Sequence, residues 1–414
     1  MHAMVYRNRF HPRNLETTDL ATFNPRIFSN PDRLKHIAPA RLLAFLAPWK
    51  AYFAARVDLS AADPDDMPLD DIAHALMNPD ATVPEDMVNA LYYVDETASH
   101  DSMEQLLDRA AAAGIDIDDD TETSAADVAV QIWLAQPMLL QRHHAEGVAF
   151  ARSNFMYFAG SGGADAGLPE MLEAQRVLMQ NRMDGWFEKK RRGRGCRIFA
   201  FPRGNKIWFL VRHGLPMRRE GKHLDDGEGG IAFYRPQQHD VLIYDAETDE
   251  MGVNSGTKGE RTLYLEVIGD VLFGDESYFD LSERFTLDPL REVGPGCLQC
   301  EDIEGMAKVR LAEIGRYWAG AEPRTEIHRA SDLFKALGER WSDQLKSGSL
   351  THATFKVTFE GSKRERTVTI RPANIARYER DSDTDLIDAW LKVRGFCKRP
   401  ADEENADDPL LEVA

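Results

Sequence analysis

Cys196-Arg-Ile-Phe-Ala-Phe-Pro-Arg-Gly-Asn-Lys-Ile-Trp-Phe-Leu-Val-Arg212 is where the chain changes its period. Two short runs, Ile198 to Phe201 and Ile207 to Arg212, are rich in aromatic and β-branched side chains, which fit a pleated surface. Pro202-Arg203-Gly204-Asn205 between them is turn chemistry, so the stretch reads as an antiparallel hairpin. Before it, Leu172, Val177, Leu178, Met183, Trp186 and Phe187 recur at helical spacing from Leu168 to about Lys190. The change after Gly195 places helices upstream and mixed structure downstream.

Downstream, strands are expected at Ile231 to Arg235, Asp240 to Asp245 and Met251 to Asn254, then a helix from Glu260 to about Phe273. The connections are too short for crossover helices, so the pairing is antiparallel. Composition breaks again at Val293-Gly-Pro-Gly-Cys-Leu-Gln-Cys300. Beyond it come a strand through Val309, Leu311 and Ile314 to Tyr317, a helix from Ala330 to Trp341, and Ala353, Phe355, Val357 and Phe359 alternating on a further strand. That strand pairs with Thr367 to Arg371 across a basic turn, and a helix from Asp383 to Val393, capped by Asp381 or Ser382, closes the segment. The order permits a small α+β module; a winged helix needs one more helix before the hairpin.

Upstream, Asn30 and Pro31 make an N-cap and N1 pair, and helices fit Asp70 to Met77, Pro84 to Thr97, Ser102 to Ala113 and Ala125 to Gly147. No fixed repeat period is present. Phe158 to Gly167 is rich in Gly and Ala and reads as a linker. The expected fold is multidomain: an all-α N-terminal domain followed by α+β domains with mostly antiparallel sheet. The boundaries are a polar arm over 1–29, an acidic helical domain over 30–157, α+β domains over 168–292 and 301–399, and an acidic tail over 400–414.

The chain has 414 residues, 43% apolar and 29% charged, enough for several self-sufficient cores. Met1 to Asn14 has no apolar leader core and no run of eighteen apolar residues occurs, so neither export nor a membrane span is expected. Four cysteines, Cys196, Cys297, Cys300 and Cys397, are no disulfide framework and fit a reducing compartment; the expected location is the cytoplasm.

The formal charge of −19 is unevenly spread. Asp58 to Asp127 holds twenty acidic residues against Arg109 alone, so this block carries the whole excess. Glu188 to His223 holds twelve Lys or Arg against two Glu, with Phe199, Phe201, Trp208 and Phe209 interleaved. Cations that replace phosphate counterions, next to aromatics that stack on bases, are the raw material of a nucleic-acid surface. Lys189, Lys190, Arg191, Arg192, Arg194 and Arg197 are its expected contacts. A second basic set, Lys363, Arg364 and Arg366, sits on the C-terminal hairpin turn, with Arg371, Arg377 and Arg380 beyond. Against the first stands the alternative that its aromatics are hairpin core and its cations a solvated rim or a partner for the chain's own acidic helices, and against the second that of solvated edge charge.

Other patterns are incomplete. Cys297-Leu-Gln-Cys300 supplies two zinc ligands and no second pair follows, so neither metal nor cofactor is expected. Asp240 and Asp245 stand an odd number of residues apart on one strand and point to opposite faces. His143 and His144 lack the four-residue spacing of a helical zinc pair, and Gly160 to Gly167 lacks the ending of a phosphate loop. Asp116 to Asp120 does not match a calcium loop, and the acidic block is best explained by solubility and helix starts, then by shielding the chain's own basic segment or docking a basic protein, and last by mimicry of a DNA backbone.

The expected function is a non-catalytic accessory protein of a cytoplasmic assembly, binding DNA or RNA through its basic segments or a basic protein through its acidic helices. The alternatives are a metal-dependent nuclease or phosphodiesterase using Asp240, Asp245 and Glu266, and a scaffold without nucleic-acid contact.

Overall fold

The computed structural model describes residues 25–59, 67–80, 82–120, 123–163, 167–224, 227–281, 283–380 and 384–398. Most of the N-terminal arm, the acidic run Asp63 to Asp66, the expected caps Asp381 and Ser382, and the 400–414 tail lie outside these residues. Two compact units emerge, residues 1–145 with 223–230, and residues 146–222 with 231–414.

From Pro31 onward the first described elements are α1 (Pro31–Leu34), α2 (Pro39–Leu46), α3 (Lys50–Phe53), α4 (Leu69–Met77), α5 (Glu85–Thr97), α6 (His100–Ala112), α7 (Ala125–Ala135) and α8 (Pro137–Phe150). Side-chain oxygens of Asn30, Ser99 and Ser124 accept backbone N–H bonds and start α1, α6 and α7. The helix expected over Ala125 to Gly147 is two, because Pro137 has no N–H to donate and its ring clashes with the preceding turn. Phe28, Leu42, Phe45, Phe53, Leu76, Leu91 and Val128 are among the buried side chains of its core. Several acids of the negative block hold this unit together. The buried Asp127 carboxylate accepts from Ala38 N (2.8 Å) and from the Arg41 guanidinium, and Asp86 accepts from the Trp49 indole (2.9 Å).

The second unit is built on one mostly antiparallel sheet of eleven strands. They are β1 (Asn154–Gly160), β2 (Arg197–Arg203), β3 (Lys206–Gly214), β6 (Gln237–Asp245), β7 (Glu250–Asn254), β8 (Phe279–Leu281), β9 (Met306–Trp318), β10 (Arg324–Arg329), β11 (Ser349–Phe359), β12 (Arg366–Arg371) and β13 (Ile375–Arg377). A separate two-stranded ribbon, β4 (Arg218–His223) with β5 (Gly229–Tyr234), lies between β3 and β6 in the chain. Sheet order is β10-β9-β11-β12-β13-β1-β7-β6-β3-β2, so the segments expected as separate α+β domains share one sheet. Its centre, β1, falls across the end of the expected helical domain and the start of the expected linker. Helices α9 (Glu173–Lys189), α10 (Lys258–Ile268), α11 (Pro289–Glu292), α12 (Leu333–Leu337), α13 (Trp341–Lys346) and α14 (Thr384–Val393) complete the unit.

Register fixes which face each helix covers. β1 is antiparallel to both β7 and β13, with Met156 opposite Val253 and Ile375, and Phe155 opposite Ala376. Opposed residues share a face, and successive residues alternate. Val253, Leu242 and Phe209 therefore lie on one side, packed with Met183 of α9 and Tyr264 of α10. Phe155, Ala376, Ile370, Val368 and Phe355 lie on the other, where Trp390 of α14 meets Phe355 at 5.2 Å between ring centroids. The two halves of the sheet are thus covered by helices on opposite faces.

Candidate nucleic-acid interface

The first basic segment disperses. Arg191 at φ 61° and Gly193 at φ 79° turn the chain sharply after α9. Arg192 then points inward, and its guanidinium pairs with the buried carboxylate of Glu260. Arg194 pairs with Glu188 at 2.8 Å. Lys190 Nζ sits 5.5 Å from the centroid of the Trp186 ring, and Lys189 lines a shallow depression of about 290 Å³ between α9 and α10 that also includes Trp186, Arg182, Glu266 and Glu276. Arg197 opposes Arg212 on the outer hairpin, and Arg212 lies over Phe199 at 5.6 Å. Lys206 is half-buried among Asp245 (3.5 Å), Asp388 (3.5 Å) and Asp385 (3.7 Å). Burial opposes its ammonium, the Asp388 and Asp245 carboxylates outweigh burial, and its pKa rises. The aromatics expected as stacking platforms are core: Phe201, Trp208 and Phe209 are buried, with Phe150 edge-on to Trp208 at 4.8 Å.

The second basic set leads to a different surface. Lys363 is exposed on the turn, while Arg364 (2.8 Å) and Arg366 (3.0 Å) both bond Glu379. Arg380 is wholly buried, donating to the Tyr157 hydroxyl and stacked on Tyr378 at 3.9 Å. Arg371 and Arg377 are exposed and face the side of β9, β11, β12 and β13 that α14 does not cover. Register puts Thr354 opposite Thr369 and Glu313, Thr369 opposite Arg377, Lys356 opposite Thr367 and Arg310, and Thr358 opposite Lys308, all on this face. Neighbouring strands stand about 4.8 Å apart and same-face residues about 6.7 Å apart along a strand, so these groups form a two-dimensional array. Lys308, Arg371 and Arg377 are exposed and make no ion pair among the described residues; Lys356 Nζ donates to Thr367 at 2.7 Å, and Arg310 is held by Glu365. These positions hold threonine hydroxyls, cations and the Glu313 carboxylate, which is paired with Arg329 and His352, and no aromatic side chain. Its signal was present in the alternation that marked β11: the polar partners of Ala353, Phe355 and Val357 are Thr354, Lys356 and Thr358.

A buried ionic cluster lies beneath the first basic segment. His213 on β3 and Asp240 on β6 meet Glu260 of α10, with Phe187 of α9 stacked on the imidazole at 4.3 Å. Glu260 is fixed by a reciprocal cap with Thr257, accepting from its N–H at 2.6 Å, and the Thr257-Lys-Gly-Glu260 spacing is the sequence signature of that cap. His213 Nδ1 is 3.0 Å from the Gly214 carbonyl and Nε2 is 3.1 Å from Asp240 Oδ2. Both neighbours are acceptors, so the ring satisfies them when each nitrogen carries a proton. Tyr264, whose pKa burial and the Asp240 carboxylate push far up, donates to Asp240 at 2.7 Å. The Arg192 guanidinium joins the same cluster through Glu260. Among the described residues these three side chains are the one His, Cys and acid grouping with metal-ligand proximity. A divalent ion would set two positive charges beside the Arg192 guanidinium, so the chemistry favours a structural ion network.

The nuclease carboxylates do not converge. Asp240 is buried on the α10 side, Asp245 pairs with Lys206 on the α14 side, and Glu266 lines the depression between α9 and α10. Cys297 and Cys300 are buried, and burial pushes the Cys297 thiol up to about 12, the reverse of what a thiolate ligand or redox centre needs. The start of the expected linker is pinned. The buried Asp249 carboxylate accepts from Gly162 N (2.9 Å), Gly163 N (2.8 Å), and the Tyr244 and Tyr278 hydroxyls (2.9 Å each). A Cβ on Gly160 would come within 2.2 Å of that carboxylate, so this position requires glycine.

Neither a protein-family model nor a curated protein matches the chain. Among the described residues no helix is long and apolar enough to cross a membrane.

Proposed function

We propose that this chain is a non-catalytic, nucleic-acid-binding accessory protein of a cytoplasmic assembly. The observation that carries the reading is the open face of β9, β11, β12 and β13, on which Lys308, Arg371 and Arg377 stand exposed and make no ion pair among the described residues, beside Lys356, a row of threonines and Glu313, which is paired with Arg329. Cations in such an array replace phosphate counterions, and hydroxyls bond phosphate and sugar oxygens. The interface is therefore read as a backbone binder with little sequence preference. Lys363 at the adjoining turn extends it; Arg192, Arg364 and Arg366, committed to Glu260 and Glu379, contribute structure. The helices between Pro31 and Phe150 are taken as an all-α domain of the accessory protein, with its acidic surface available to a basic protein partner.

The test is equilibrium binding of the full chain to a labelled 20-base-pair duplex between 50 and 200 mM salt. The expected result is a steep fall of affinity with salt, whose log–log slope shrinks by roughly 3 when Lys308, Arg371 and Arg377 are replaced by alanine together. Salt-insensitive binding, or none, rejects the reading.

A further inference from the structure

We infer that the chain pairs with a second copy of itself through the free edge of β10, antiparallel and centred on Ile327, so that the sheet continues across a two-fold axis. This goes beyond the nucleic-acid reading and does not depend on it.

The two ends of the sheet are finished differently. At the β2 end, α9 covers the edge. Gln180 Oε1 accepts from Ile198 N at 2.9 Å, Asp184 accepts from Cys196 N at 2.8 Å, Arg176 donates to the Ile198 carbonyl at 3.4 Å, and Pro202 has no N–H to offer. At the other end β10 pairs with β9 alone. Ala330 N donates to Ala312 O at 3.0 Å, and the register runs from Arg329 opposite Glu313 to Arg324 opposite Trp318. Backbone groups alternate along an antiparallel ladder, so His328, Glu326 and Arg324 bond to β9 while the N–H and C=O of Thr325, Ile327 and Arg329 point away from it. None of those outward groups is bonded among the described residues. Ile327 in their midst is 43% exposed, and Tyr317 of β9, on the same face, is 38% exposed. Such an edge is a template for another strand.

The sequence of the edge suits its own copy. With Ile327 opposite the partner's Ile327, the outward groups of Thr325, Ile327 and Arg329 meet those of the partner's Arg329, Ile327 and Thr325, each pair exchanging two backbone bonds. The same register sets Glu326 opposite the partner's His328 on the other face. There Arg316, which can only donate, bonds Glu326 at 3.0 Å and His328 Nε2 at 2.8 Å, so the imidazole carries its proton on Nδ1. That N–H makes no bond among the described residues, and the partner's Glu326 is the carboxylate across from it. Moving the axis by one residue would oppose Glu326 to Glu326 or His328 to His328 and aim already bonded backbone groups at each other. Centring it on Arg329 would oppose two guanidinium groups, and centring it on Thr325 would bring Pro323, which has no N–H, opposite Ile327. Opposed residues share a face, so the open faces of the two copies turn to the same side.

The experiment is sedimentation equilibrium of the full chain, followed by disulfide trapping. A strand edge of this length makes a small interface, so the expected dissociation constant is about 10–100 µM. Ile327→Pro leaves the β9 ladder whole, because the N–H it removes faces outward, and should weaken the dimer about tenfold or more with the unfolding temperature unchanged. Ile327→Cys should oxidise to a covalent dimer, since directly opposed residues stand about 5.5 Å apart at Cα, within disulfide reach. Thr325→Cys alone should not, because its two copies lie roughly 13 Å apart in this register, whereas Thr325→Cys together with Arg329→Cys should. A chain that stays monomeric well above 100 µM overturns the inference and leaves the nucleic-acid reading untouched. So does a dimer that Ile327→Pro does not weaken, or one that Thr325→Cys traps as fast as Ile327→Cys. If Ile327→Pro unfolds the chain, the cysteine variants decide.

Discussion

Residues 189–212 and the sheet of β9, β11, β12 and β13 are both rich in Lys and Arg, yet they use that charge in opposite ways. In the first region, Arg192 and Lys206 turn inward to Glu260 and to the Asp245, Asp388 pair, and the interleaved aromatics are core. In the second, Arg371, Arg377 and Lys308 stand outward on the face that α14 does not cover, with Ile375 opposite Arg371, Thr369 opposite Arg377 and Thr358 opposite Lys308. The lesson is that a count of cations in a segment says little until the carboxylates that fold against it are known. Arg192 and Lys206 of the first region serve the packing, while Lys189, Lys190, Arg191 and Arg197 stay exposed and make no ion pair among the described residues.

The largest effect that would break this comparison concerns Arg192. Replacing it with alanine strands the Glu260 carboxylate in the core and should lower stability by about 3–5 kcal/mol in urea unfolding. A change below about 1 kcal/mol would return Arg192 to the surface cations. Tyr264→Phe comes next. Loss of its bond to the Asp240 carboxylate should cost about 1.5–3 kcal/mol, measured the same way, with nucleic-acid affinity unchanged. For Lys308→Ala, Arg371→Ala and Arg377→Ala the contrast reverses: each should move stability by no more than about 0.5 kcal/mol, while the salt dependence of binding falls. Destabilisation of several kcal/mol by these three would make the second region structural too.

The smallest effect at neutral pH belongs to the thiols. Burial raises Cys196, at the start of the first region, and Cys297, near the second, from 9.0 to about 12. The folded state favours the neutral thiol, so its contribution is complete below about pH 9 and is lost as pH climbs toward 12. Both thiols should resist alkylation in the folded protein at pH 8 and react in urea. Rapid labelling of folded Cys297 at pH 8 would mean a thiolate exists there.

Much of the secondary structure was legible. Period-2 alternation marked β11, the aromatic hairpin marked β2 and β3, and Asn30 with Pro31 marked the start of α1, whereas the break at Pro137 inside the helix expected over Ala125 to Gly147 went unread. β1 was hidden because Asn154–Gly160 abuts a helix and a glycine run, and its strand character comes from having β7 and β13 as partners on either side. β10 and β4, with charged residues at most positions, lack the apolar alternation that announces a strand. His213 and Glu260 went unnoticed as site residues because 47 positions separate them; the Thr257 to Glu260 cap was the one local trace of the cluster.

By itself the sequence determined the α+β character, the antiparallel connections and the charge asymmetry between an acidic block and basic segments, because period, turn chemistry and composition are local properties. Tertiary structure decided which cations are free. That choice depends on side chains far apart in the chain: Arg192 finds Glu260 across 68 residues, Arg364 and Arg366 find Glu379, and Arg371 and Arg377 find nothing among the described residues, since α10 and α14 cover opposite faces of the sheet and leave theirs bare. A charge buried beside its counter-ion and a charge left in water look identical in a sequence, and the long-range packing that separates them places Arg192 beside Glu260 in the core and leaves Arg371 and Arg377 exposed.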